Sequence, residues 1–117
     1  MLGLQIPADA GRPVRLTMLR PTVPALSEAL TGRTDGSGYT FYLARHRVDR
    51  ALPGNERAAV LAARLGHDTR AWLAGLRGDV LVLGCDGRRQ HVSVPRPVVD
   101  AAARSGLFGP GPGGVGP

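Results

Sequence analysis

Hydrophobic and polar positions alternate in two short runs at the start of the chain, Leu2 to Ile6 and Val14 to Leu19. The second run places Val14, Leu16 and Met18 on one face and Arg15, Thr17 and Leu19 on the other, the period of a half-buried strand. Pro7-Ala8-Asp9-Ala10-Gly11-Arg12-Pro13 joins them. Pro21-Thr22-Val23-Pro24 then opens a predicted helix, with Thr22 as its N-cap, Pro24 in its first turn and Glu28 on its early, dipole-favoured side. Leu26 and Leu30 stand at i and i+4, and Gly32 is placed to close the helix in the left-handed conformation. Thr34-Asp35-Gly36-Ser37-Gly38 predicts a flexible loop, and Tyr39-Thr40-Phe41-Tyr42-Leu43 a strand.

A charged connection, Arg45-His46-Arg47-Val48-Asp49-Arg50, leads to the best helix start in the chain, Leu52-Pro53-Gly54-Asn55-Glu56-Arg57-Ala58-Ala59. Asn55 is suited to cap the free amides, Glu56 falls in the first turn, and Leu52 is placed for a staple-like contact. The alanine-rich body runs through Val60, Leu61 and Leu65 and stops at Gly66. His67-Asp68-Thr69 predicts a second cap, followed by a short helical stripe of Trp72, Leu73 and Leu76.

Val80-Leu81-Val82-Leu83-Gly84-Cys85 and Arg88 to Val94 flank Asp86-Gly87, a dipeptide fitted to a two-residue type I′ hairpin turn. That turn sets Cys85 opposite Arg88, Leu83 opposite Gln90 and Leu81 opposite Val92, with the Leu81 and Leu83 face as the core face. On the other face Val82 opposes His91 and Val80 opposes Ser93. Pro95 ends the strand, Pro97 to Ser105 predicts a last helix closed by Gly106, and the Gly/Pro run over 108–117 predicts a disordered tail. The order β-β-α-β-α-α-β-β-α defines an α+β domain over residues 1–107. Its expected form is a small mixed or antiparallel sheet of about five strands with helices packed on one face.

Composition changes how charge is read. All 15 basic side chains are arginine, beside 17 Gly and 10 Pro, and the net charge is +6. Exclusion of lysine together with abundant Gly, Pro and Ala is the imprint of GC-rich coding, so the basic balance is weak evidence for a nucleic-acid partner. One cysteine, Cys85, forms no intramolecular disulfide and offers no zinc cluster. No apolar run reaches the roughly 20 residues of a membrane span, and no signal peptide is evident, so a cytoplasmic setting is expected and a membrane is not.

Leu52-Pro53-Gly54-Asn55-Glu56-Arg57-Ala58-Ala59-Val60-Leu61 and Leu76-Arg77-Gly78-Asp79-Val80-Leu81-Val82-Leu83-Gly84 resemble a small family of uncharacterised domains of unknown function, found in phages, plasmids and actinobacterial genomes. The resemblance spans roughly residues 2–95. It rests on an N-terminal strand pair, a helix, a Leu-Pro-x-Asn-x-x-Ala segment and a Gly-Asp-Val-Leu-Val-Leu-Gly strand. Gly-Arg-Thr-Asp-Gly-Ser-Gly stands where the pattern has a tighter helix-to-strand connection. The resemblance implies a mobile-element or accessory context and carries no catalytic residue or ligand.

Candidate chemistry is sparse. Arg45, Arg47 and Arg50 form the densest positive cluster, just after the aromatic run Tyr39, Phe41 and Tyr42, and Arg88 and Arg89 add charge beside the hairpin turn. Arginines beside aromatic side chains on a sheet hold phosphates and stack bases. Asn55 and Arg57 mark a turn at a helix N-terminus, where free amides attract anions; the plainer use of Asn55 is as a cap. Trp72 and Tyr42 are interface candidates, since exposed aromatics anchor partners, although the spacing of Trp72 with Leu73 and Leu76 favours its packing onto the sheet. His46, His67 and His91 lack ligand spacing, so no metal site is expected, and no cofactor. No spacing assembles a nucleophile with a base, so no enzyme is expected.

The expected function is a small cytoplasmic binding or regulatory module that acts on a protein partner, a homodimer being one form of this. Nucleic-acid binding through the Arg-rich surface is the alternative. A nucleotide or small-anion site at the Pro53 to Arg57 turn is the third reading.

Overall fold

A computed structural model describes residues 1–19, 27–34, 36–43, 53–68, 76–88 and 90–108. Its elements are β1 (Leu2–Ile6), β2 (Arg15–Met18), β3 (Ser27–Thr34), β4 (Ser37–Leu43), α1 (Glu56–Arg64), β5 (Val80–Cys85), β6 (His91–Val92) and α2 (Arg96–Arg104). The strands form one six-stranded sheet in the order β2-β1-β5-β4-β3, with β6 also paired to β5. Every described pairing is antiparallel. The α+β class follows.

Burial explains the central strand. β5 pairs β4 along its whole length, and on its other side it pairs first β1 and then β6. The run Val80-Leu81-Val82-Leu83 is correspondingly apolar on both faces, and Val80, Val82 and Leu83 are buried. Val80 and Val82 join Leu4, Ile6, Leu30, Tyr39 and Phe41 in the core, where α1 adds Ala58, Leu61 and Ala62 and α2 adds Val98, Ala101 and Ala102. Both helices therefore lie on one face. Each fully buried Val, Leu, Ile or Phe there contributes about 1.5–3 kcal/mol relative to exposure.

Three sequence expectations are corrected. Ser27–Thr34 is a strand, not the end of a helix: Leu30 lies opposite Phe41 and Gly32 opposite Tyr39, and pairing with β4 overrides the i, i+4 leucine pattern. Gly32 has no left-handed role; an added Cβ there would run into the Tyr39 ring. The expected loop at 34–38 is instead a tight hairpin end, with Thr34 paired to Ser37 and Gly36 at φ +80°.

The β5–β6 hairpin also differs in register. His91 lies opposite Cys85 and Val92 opposite Gly84, rather than opposite Val82 and Leu81. Asp86 explains the shift. Its carboxylate accepts the Arg88 and Gln90 amides at 2.8 and 2.9 Å, and its own amide donates to the Gln90 carbonyl at 3.1 Å. The side chain thus organises a wider loop in place of the two-residue turn. The helix-covered face is that of Val80 and Val82, not Leu81 and Leu83; Leu83 is nonetheless fully buried on the opposite face, near Thr40 and Tyr42. The helix expected after His67 lies largely outside the described residues, and so do the connection at 45–50 and the tail from 109 onward.

Candidate functional site

The Asn55 turn is built as a knot. Asn55 is only 2% exposed and caps α1 by accepting the Ala58 amide at 3.0 Å. Its side-chain amide donates to the carbonyls of Ile6 at 2.7 Å and Gly78 at 3.0 Å. The backbone adds two more ties, from the Asn55 amide to the Leu76 carbonyl and from the Gly78 amide to the Pro53 carbonyl. Arg57 donates through Nη2 to the carbonyls of Pro7 and Asp9. Asp79 accepts the Ala8 amide at 3.0 Å. One side chain thus fastens the end of β1, the start of α1 and the lead into β5.

These bonds bear directly on the expected ligand turn. Both amide hydrogens of Asn55 and the Nη2 group of Arg57 are engaged with backbone carbonyls, so neither donor set points at a vacant anion position. The Pro53 to Arg57 and Leu76 to Asp79 segments meet here as a structural joint.

The other candidates divide by position. Arg45, Arg47, Arg50, Arg89 and Trp72 lie outside the described residues. Arg88 is exposed on the hairpin loop, with its amide held by Asp86. Tyr42 is a correction: at 7% exposure it is buried on the face away from the helices and presents no free ring to a partner. Its hydroxyl lies 3.4 Å from His91 Nδ1, and burial pushes its pKa up. His67 is paired with a core residue, its Nε2 lying 2.6 Å from the Tyr39 hydroxyl; burial lowers its pKa.

The feature that sequence reasoning missed lies at the free end of the sheet. Leu16 and Met18 of β2 are 41% and 71% exposed, and Leu2 and Val92 on the same face are also exposed. Leu2 lies opposite Met18, and Val92 flanks Gly84 in the row that continues β1. Among the described residues, neither α1 nor α2 covers this corner. The alternation of Val14, Leu16 and Met18 was legible, but it identifies a strand face and not whether that face is covered.

Among the described residues, no helix is long and apolar enough to cross a membrane. No family model, no curated protein and no solved structure matches the chain.

Proposed function

We propose that the protein is a non-enzymatic binding module that engages a protein partner along β2. The observation that carries this reading is the contrast between the two sheet edges. β3 is interrupted by a register shift between Glu28 and Leu30 and carries charges of both signs, Glu28 and Arg33, devices that discourage strand addition, whereas Arg15 is the one charge on β2. β2 is regular in its pairing and presents Leu16 and Met18 to solvent. Isolated apolar side chains on a surface need no explanation, but a contiguous apolar corner at an open edge does.

The partner chemistry follows from the side chains. A strand laid beside β2 continues the sheet through its backbone, with alternate side chains directed to opposite faces. On one face they meet Leu16 and Met18; on the other they meet Arg15 and Thr17. An extended segment that alternates apolar with acidic residues satisfies both. The net charge of +6 opposes a second copy of this chain in that place. Nucleic-acid binding rests mainly on Arg45, Arg47, Arg50 and Arg89, which lie outside the described residues; the exposed Leu16 and Met18 favour a protein partner. A cytoplasmic setting and a mobile-element context, the latter implied only by the resemblance, belong to the same proposal.

Immobilised protein and its Met18→Asp variant are compared for capture from the native cell. The captured protein is then purified and added back while hydrogen exchange is followed. The expected result is capture by the unaltered chain, slowed exchange across Arg15–Met18, and at least about 10-fold weaker binding in Met18→Asp. Equal binding to both forms, protection on β3 instead, or a self-dimer that survives Met18→Asp overturns the reading.

A further inference from the structure

At the far edge of the sheet from β2, the end of β3 meets the C-terminal turn of α1 and the outer side of α2 around a cavity of about 330 Å³. Its lining includes Arg33 and Thr34 from β3, Arg64 and Leu65 from the end of α1, and Asp100 and Arg104 from α2. Three arginines thus line one opening together with a single acidic residue.

Ordinary structural roles account for part of this arrangement. Arg64 and Arg104 stand in the last turns of their helices, where cations complement the negative pole. Arg64 is also held in place, donating from Nε to the Ser105 hydroxyl and from Nη2 to the Arg104 carbonyl, both at 3.3 Å. Arg33 sits on the edge strand β3, where its charge also discourages strand addition, and among the described residues its side chain makes no hydrogen bond or ion pair. The same holds for the Arg104 guanidinium and the Asp100 carboxylate, one helical turn apart yet not within ion-pair distance. Three cationic side chains lining one opening with one acidic side chain leave an excess of positive charge there, which an anion offsets.

We propose that this cavity binds a small organic phosphate monoester, with the phosphate on Arg33 and Arg104, the already hydrogen-bonded Arg64 adding its charge beside them, and a ligand hydroxyl on Asp100. Arginine's planar donor fork matches phosphate oxygens two at a time. Asp100 repels a bare phosphate and gains a partner only when the ligand brings a hydroxyl, so the site favours a phosphorylated sugar or nucleotide over inorganic phosphate. Leu65 supplies an apolar wall for the remainder of such a molecule. The volume falls at the lower end of the range for small-ligand pockets, about 300–1,000 Å³. The site is separate from the β2 edge and stands or falls independently of the partner reading.

Adenosine 5′-monophosphate, adenosine and inorganic phosphate serve as probes, titrated by calorimetry against the full chain. The nucleotide is expected to bind, adenosine not to bind, and phosphate to bind more weakly than the nucleotide. The doubly substituted Arg33→Gln, Arg104→Gln chain changes only exposed side chains and is expected to keep its melting temperature while losing at least about 10-fold in nucleotide affinity. Asp100→Asn is expected to weaken the nucleotide while leaving phosphate unchanged or tighter. Absence of nucleotide binding at about 10 mM, or binding equal in the doubly substituted chain, overturns the site. Tighter binding of a single-stranded oligonucleotide, with steep loss of affinity between about 50 and 200 mM salt, overturns the monoester and assigns the arginines to a phosphodiester backbone.

Discussion

Asn55 does two jobs at one position, and a pair of substitutions separates them. Asn55→Asp keeps the oxygen that accepts the Ala58 amide but removes both donors and sets a carboxylate against the carbonyls of Ile6 and Gly78. Loss of a cap alone costs about 1 kcal/mol. Leaving two buried carbonyls unpartnered costs about 1–3 kcal/mol each. Because the donors outweigh the cap, Asn55→Asp is expected to destabilise the protein by at least about as much as Asn55→Ala, roughly 3 kcal/mol or more in urea melts. An Asp variant of near-native stability would make the cap the dominant role. The cap was legible from Pro-Gly-Asn-Glu before an alanine-rich run; the two carbonyl partners were not, because they come from segments 49 and 23 residues away. His67 makes a second residue-scale prediction. Burial lowers its pKa below the ordinary 6.5, so the unfolded chain takes up a proton first as pH falls. Stability conferred by neutral His67 is present above pH 6.5 and is lost as pH drops from there through the folded-state value. Melting temperature measured from pH 7.5 to 5 is expected to fall for the native chain and to fall less for His67→Gln. Parallel curves for the two would remove His67 as the cause.

At the scale of elements, the dipeptide Asp-Gly occurs twice, and its two glycines take different backbone conformations. Asp86-Gly87 stands between strongly apolar runs and predicts a two-residue turn, whereas Asp35-Gly36, set among Thr, Ser and Gly, predicts a flexible loop. The structure reverses these. Thr34 pairs with Ser37 across the first, and Gly36 takes φ +80°. In the second, the Asp86 carboxylate draws in the Arg88 and Gln90 amides, and Gly87 is not among the positive-φ glycines. An added Cβ meets nothing within 4 Å at either glycine, so backbone conformation alone sets the outcome. Gly36→Ala is therefore expected to cost about 1–2 kcal/mol. Gly87→Ala is expected to be neutral or to stabilise by up to about 1 kcal/mol by restricting the unfolded chain. Equal costs measured by chemical denaturation would contradict the assigned loop geometries. The flanking apolar pattern thus located the β5 strand correctly and misplaced its turn, because a side-chain hydrogen bond leaves no trace in hydrophobic period. The same limit hid β3: Leu26 and Leu30 satisfy a helix, and only β4 beside Leu30 makes that stretch a strand. It also hid the open edge, since strand order is set by long-range pairing and not by the local pattern of Val14, Leu16 and Met18.

For the whole molecule, the consequential fact is that the first strand is held by the last third of the chain. β1 pairs β5 from Leu4 opposite Val82 to Ile6 opposite Val80, and the Leu2 amide and carbonyl bond to Ser93 and Val94. By contrast β3 and β4 are joined through Thr34 and Ser37 and need only a short loop to meet. Closing a chain segment costs entropy that grows with its length, so the β3–β4 hairpin is the cheaper structure to form early and β1 docks late. Leu4 and Phe41 report on the two events, since both are fully buried in one core. Leu4→Ala is expected to cost about 2–5 kcal/mol and Phe41→Ala about 3–5 kcal/mol, so equilibrium melts alone do not distinguish their timing. Stopped-flow kinetics do. If β1 docks after the rate-limiting barrier, Leu4→Ala speeds unfolding and leaves refolding nearly unchanged, while Phe41→Ala slows refolding. A refolding rate that falls with Leu4→Ala in proportion to its full stability loss would place the β1–β5 contact inside the folding nucleus. The late strand would then be the organising one, and the molecule would assemble from its termini inward rather than from its local hairpin outward.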